Sequence, residues 1–197
     1  MIILASASPR RTEILQALGV EHTVITANAD ESSEETDPRL LVEELSARKG
    51  LAVYEKLKEN APAGADPESA LIISADTVVY ANGKILGKPR NADEALAMLR
   101  SLSGKTHEVI SGIAVTLGGA VKSASCTTKV HVDEIPESEL IAYANSEEPL
   151  DKAGAYAIQG RFSVWIRAIE GCYFNVVGLP VNQLGKLYFE VTGKYLI

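Results

Sequence analysis

The chain has 197 residues, of which 46% are hydrophobic, enough to bury a core and more than a disordered chain carries. Nineteen Lys and Arg against 26 Asp and Glu leave a net charge of −7, which argues against a broad nucleic-acid-binding surface but permits a local cationic pocket for a small polyanion. Two isolated cysteines, Cys126 and Cys172, argue against a disulfide framework or a zinc site, and three scattered histidines leave carboxylates to hold any metal, hence a hard cation such as Mg²⁺.

Ile2 to Ala5 reads as a buried strand. No basic segment precedes it and no apolar run approaches a membrane span, so the sequence places the chain in the cytoplasm with no membrane partner. Ser8 as N-cap, Pro9 at the first helical position and Gly19 at the C-terminal cap bound a helix carrying Ile14, Leu15 and Leu18. Val24-Ile25 is a short strand. The acidic stretch from Ala27 to Pro38 reads as a mobile loop, followed by a long helix to Asn60 and a linker from Ala61 to Pro67.

Leu71 to Ser74 is a strand delivering Asp76-Thr77 at its C-terminal end. Val78 to Leu86 is a hairpin turned by Asn82-Gly83, a type I′ signal. A helix from Ala92 to Leu102 follows, then two long β segments turned by Gly118-Gly119. Pro136 to Asn145 is helical, Asp151 to Gly160 irregular, Phe162 to Ile169 an alternating strand, and Gly178-Leu-Pro180 opens the last helix. Strands alternating with helices define an α/β chain.

Five segments carry candidate chemistry. Ser6 to Arg11 places Ser8, Arg10 and Arg11 around a helix N-terminus, where the dipole disfavours cations; the arginines are either solvated or set there for a phosphate. Asp76 either caps a turn or works as a metal ligand or base. Gly83-Lys-Ile-Leu-Gly87-Lys88-Pro has the wrong spacing for a Walker A loop; Lys88 stays a candidate for a phosphate contact, whereas Lys84 reads as a solvated hairpin residue. Lys49 falls beside the apolar stripe of the long helix, so it snorkels to water or meets an anion. Asp151 to Gly160 either packs tightly on the sheet or approaches a ligand, with Asp151, Lys152 and Gln159 as its polar contacts; Gln159 carries the donor and acceptor that read a base edge. Asp30 and Glu31 either complete a metal site or face solvent.

Together the segments resemble the Maf family nearly end to end. The matching stretches are Leu4-Ala-Ser-Ala-Ser-Pro-Arg-Arg11, Ser74-Ala-Asp-Thr-Val-Val79, Gly87-Lys-Pro89, Leu102-Ser-Gly-Lys-Thr-His107, Glu148 to Tyr156, Gln159-Gly160 and Val177-Gly-Leu-Pro180. The resemblance implies one Maf-like domain over 1–197 with a fold like the inosine-triphosphate pyrophosphatases: an elongated mixed β-sheet flanked by helices, two lobes and a central cleft. It implies hydrolysis of a nucleoside triphosphate to the monophosphate and pyrophosphate, with Mg²⁺ or Mn²⁺, by a homodimer. By the same resemblance Asp76 is the proton acceptor, Glu31 and Asp76 face the metal, and Lys49 and Lys88 face the phosphates. Arg10, Thr77 and Gln159 match positions of substrate choice and resemble the branch acting on dTTP and UTP; the branch acting on 7-methyl-GTP lacks the Tyr-x-Ile-Gln-Gly stretch. Ala157 replaces a common Gly, and Cys172 a common Ser. Two rival readings are a nucleotide-binding regulator of cell division with little turnover, and a phosphomonoesterase releasing orthophosphate.

Overall fold

The computed structural model describes residues 1–62 and 65–197, so part of the expected linker from Ala61 to Pro67, residues 63 and 64, lies outside the described residues. β1 (Ile2–Leu4) leads to α1 (Pro9–Ala17), where Pro9 sits at a position whose missing N–H costs nothing. Ser8 has the extended N-cap backbone, but its side chain caps no helical amide; its own amide donates to Ser6 Oγ at 3.3 Å. After β2 (Thr23–Val24) the acidic stretch takes no regular structure, yet it is tied down. Ser32 donates through its amide and hydroxyl to Asp30 Oδ1 at 2.9 and 2.6 Å, and Arg48 Nη1 donates to the Ser32 carbonyl at 2.5 Å.

α2 (Pro38–Glu59) starts at Asp37, whose side chain accepts from the Arg39 amide. β3 (Leu71–Ala81) and β4 (Lys84–Leu86) form the expected hairpin, with Asn82 and Gly83 at φ 51° and 75° as a type I′ turn requires. α3 (Ala92–Leu102) is capped by Asn91, and β5 (Thr106–Leu117) joins β6 (Ala120–Val132) through Gly118-Gly119. α4 (Glu137–Ala144), β7 (Ile166–Glu170), α5 (Tyr173–Val177) and α6 (Val181–Thr192) complete the chain.

Two expectations are corrected. Arg161–Trp165 is a 3-10 turn and not the start of a strand, because Phe162 turns into the core against Tyr143 and Tyr156 while β7 begins only at Ile166. Asp76-Thr77 lies inside β3, not at its end. β3 pairs with β1 through Leu71–Ile73 and with β4 through Val79–Ala81, which leaves Asp76 and Thr77 in the stretch between the two pairings.

The strand order is β2-β1-β3-β5-β6-β7, with β4 on β3. β1 runs parallel to β2 and β3, while β4 and β7 run antiparallel to β3 and β6, so the sheet is mixed. The chain divides into two compact units. The first comprises Met1–Asp76, Ser111–Cys126 and Gly178–Ile197, and its buried cluster includes Ile3, Val53, Leu57 and Ile72. The second comprises Thr77–Ile110 and Thr127–Val177, with a larger cluster built on Leu99, Leu102, Val130, Tyr156 and Phe162. Each large aliphatic side chain fully buried in this way contributes about 1.5–3 kcal/mol. No helix among the described residues is long and apolar enough to cross a membrane.

Candidate active site

The placement of α2 decides the chemistry of the first unit. The helix lies so close to the sheet that a Cβ on Gly112 would meet the Val42 carbonyl oxygen at 2.1 Å, and one on Gly50 would meet Thr116 Oγ1 at 2.6 Å. Ser74 Oγ fastens the same contact by donating to the Ser46 carbonyl at 2.6 Å. Lys49, next to Gly50, is thereby held over the polar break in β3. Its ammonium donates to Asp76 Oδ1 at 2.5 Å and lies 2.8 Å from Glu31 Oε1. The Lys49 and Asp76 side chains are 20% and 15% exposed, against 65% for Glu31, so the lysine–aspartate pair is shielded and the glutamate reaches it from the surface. Of the two outcomes open to Lys49 from its helical spacing, it meets an anion.

Arg11 has its own anchor. Nε donates to the Gly178 carbonyl, and Nη1 to Ser6 Oγ and the Ala75 carbonyl, each at 2.8 Å. Burial lowers the guanidinium to about 10, with Asp76 opposing the shift and Arg10 adding to it; the group remains a cation at neutral pH. Arg11 therefore binds α1 to β3 one residue before Asp76 and contributes positive charge beside that carboxylate. Arg10 and Ser8 are half-buried at the start of α1.

In the second unit Thr77 is half-buried, and Lys88 and Gln159 are exposed. The irregular segment after α4 leans on β3. Gly154, at φ 68°, has no room for a side chain, since a Cβ would meet Val79 Cγ2 at 2.7 Å, and its amide donates to the Gly87 carbonyl at 3.0 Å. That bond sets the segment holding Asp151 and Lys152 against Gly87, the neighbour of Lys88. Lys152 Nζ donates to Asp151 Oδ1 at 2.5 Å and to the Glu148 carbonyl at 2.7 Å. The structure thus gathers Glu31, Lys49 and Asp76 directly, joins Asp151 to Lys152, and gives Arg11 a supporting role alongside any ligand contact. Ser6 and Glu148 were missed by sequence reasoning; both stand within the quoted motifs, and their side-chain contacts emerge only in the fold.

The donor set suits a hard divalent cation. Glu31 and Asp76 each bring a carboxylate oxygen to the Lys49 ammonium, so two hard oxygen donors border the same spot. Among the described residues no group of three or more His, Cys, Asp or Glu gathers as a ligand set. Mg²⁺ is commonly held by one or two carboxylates, with waters and substrate phosphates completing its shell, so Glu31 and Asp76 fit it.

A strand carrying Asp76 and Thr77 in its interior, a lysine paired with that aspartate and an arginine-bearing helix start define a site suited to phosphate chemistry on an α/β frame. The family model described as Maf-like protein matches residues 1–191, and the chain belongs to the Maf family. Curated relatives include the dTTP/UTP pyrophosphatase of Clostridium perfringens, 43% identical over 189 residues and 94% of each chain. That of Lachnoclostridium phytofermentans is 43% identical over 195 residues, covering 96% of this chain and 93% of the relative. That of Acetivibrio thermocellus is 41% identical over 191 residues, covering 94% and 92%.

Proposed function

We propose that this chain is a nucleoside triphosphate pyrophosphatase acting on dTTP and UTP, cytoplasmic and homodimeric, with one Maf-like domain over 1–197. The observation that carries the reading is the Glu31–Lys49–Asp76 cluster, seated on a match to named pyrophosphatases over nearly the whole chain.

Water attacks the α-phosphorus in line; the bond from that phosphorus to the bridging oxygen breaks, and the products are the nucleoside monophosphate, pyrophosphate and a proton. Asp76, oriented by the Lys49 ammonium, accepts the water's proton. A divalent cation held by Glu31 and Asp76 would neutralise triphosphate charge and acidify water when bound. Arg10, Lys49 and Lys88 meet charge developing on the phosphoryl oxygens, with Arg11 supporting them through its cationic field. Ser8, Asp151 and Lys152 complete the phosphate and sugar contacts, and Thr77 and Gln159 read the pyrimidine.

The test is incubation with UTP and Mg²⁺, products resolved by chromatography. UMP and pyrophosphate in equal amounts are expected. Orthophosphate with UDP would overturn the cleavage position, and tight UTP binding without turnover would favour the regulator of cell division instead.

A further inference from the structure

Gln159 stands exposed on an irregular stretch, so something other than its own side chain must fix where it points. Besides the backbone bonds from the Gly160 amide to the Ala157 carbonyl at 3.2 Å and from the Ser163 amide to the Gly160 carbonyl at 3.0 Å, that stretch is held by Glu148, in the turn after α4. Its Oε1 accepts the Tyr143 hydroxyl at 3.0 Å, its Oε2 accepts the Arg161 amide at 3.3 Å, and its carbonyl accepts Lys152 Nζ at 2.7 Å. Gly160 lies directly against it: an added Cβ would stand 1.7 Å from Oε1. Gly160 has φ −100°, which any residue adopts, so what the glycine provides is space and not conformation: a side chain there fits only if the Glu148 carboxylate moves off its partners. One carboxylate therefore grips the chain immediately after Gln159, while the carbonyl of the same residue grips Lys152 before it. Tyr143 is pinned in turn, being buried and tilted against Phe162 at 5.4 Å between ring centroids. Burial, and then the adjacent Glu148 charge, push its phenol up, so it donates at every physiological pH.

We infer that Glu148 is a positioning residue for base selection, holding the Gln159-Gly160 backbone so that the Gln159 amide meets the pyrimidine edge. The inference rests on the proposed function, in which Gln159 reads the base. Base reading by a paired donor and acceptor is steeply sensitive to placement, because a shift of ~1 Å at a positioning contact costs up to ~100-fold in rate. Glutamine at 148 would keep an oxygen for the Arg161 amide and offer its NH₂ to the Tyr143 oxygen, so it preserves the grip that alanine removes.

The experiment measures kcat/KM for UTP and GTP in the full-length protein with Mg²⁺. Glu148→Ala is expected to lower the UTP:GTP ratio at least ~10-fold, chiefly through a raised KM for UTP, while Glu148→Gln stays within ~3-fold of the starting ratio. Gly160→Ala, whose methyl collides with the carboxylate, is expected to lower the ratio similarly; combined with Glu148→Ala it adds little, since the colliding group is gone. An unchanged ratio in folded Glu148→Ala, or strict additivity in the double variant, overturns the inference. If Glu148→Ala does not fold by circular dichroism, Gly160→Ala alone decides, and an unchanged ratio there overturns it equally. Gln159→Glu separates the two levels. If it leaves base preference unaltered, base reading by Gln159 falls; if it shifts preference while Glu148→Ala does not, only the positioning role falls.

Discussion

Lys49 sets the charge balance around Asp76. With its ammonium between two carboxylates, the cluster carries a single net negative charge, and the neighbouring Arg11 offsets that further. Asp76→Asn keeps the shape and hydrogen-bonding reach of the side chain but removes its basicity. We expect a folded protein whose turnover of UTP falls at least ~100-fold, the low end for loss of a general base; near-normal turnover would remove Asp76 from the reaction. His107 offers a second residue-scale test. It is buried, with Nε2 bonded to the Tyr156 hydroxyl at 2.7 Å, and burial lowers it from 6.5 to about 4, helped by His131. Its Nδ1 has no hydrogen-bond partner among the described residues. The folded state thus resists a proton that the unfolded state accepts near 6.5. The resulting stability is full above that pH and is lost on acidification down to about 4, by at most about 3 kcal/mol. In urea titrations His107→Gln should show a flatter loss of stability across that window than the parent chain; equal slopes would refute the assignment.

Elements explain which expectations held. Boundaries marked by local chemistry were legible: Ser8-Pro9 at α1, Asn82-Gly83 between β3 and β4, Gly118-Gly119 between β5 and β6. Boundaries set by long-range pairing were not. Asp76-Thr77 reads as the end of an apolar strand, but backbone pairing at both ends carries β3 through it. Phe162 and Val164 mimic strand alternation, whereas their opposite fates, 1% and 74% exposed, come from a 3-10 turn that buries only the first. The site shows the same division. Type and spacing made Asp76 and Lys49 candidates with a turn cap and a snorkelling lysine as alternatives, and the resemblance alone gave them roles; the contact between them depends on two glycines letting α2 settle on the sheet. Gly112→Ala would drive a methyl into a backbone carbonyl that cannot swing aside. We expect it to destabilise the protein by about 3 kcal/mol, the upper end for overpacking, and to impair turnover out of proportion to its distance from the reaction, through the displacement of Lys49. A fully stable, fully active variant would show that the helix has slack.

At the scale of the molecule, each unit has an apolar core of its own, yet β3, β5 and β6 run through both. Separate cores favour separate melting, whereas shared strands favour one transition. We expect the strands to prevail. Trp165, the single tryptophan, reports on the second unit, and far-UV circular dichroism is weighted toward the 22-residue α2 in the first. Urea curves followed by the two signals should coincide; midpoints that separate would make the units independent.

The two acidic partners of Lys49 are unequally secured: Asp76 is embedded in an eleven-residue strand, whereas Glu31 is carried on a surface stretch fastened by a few polar bonds. A protease clipping that stretch at exposed Glu34 would leave both cores whole while unmooring one of the two carboxylates. On the proposed metal role of Glu31, the nicked protein should keep its melting temperature and need more magnesium for turnover, a way of inactivating the molecule without unfolding it.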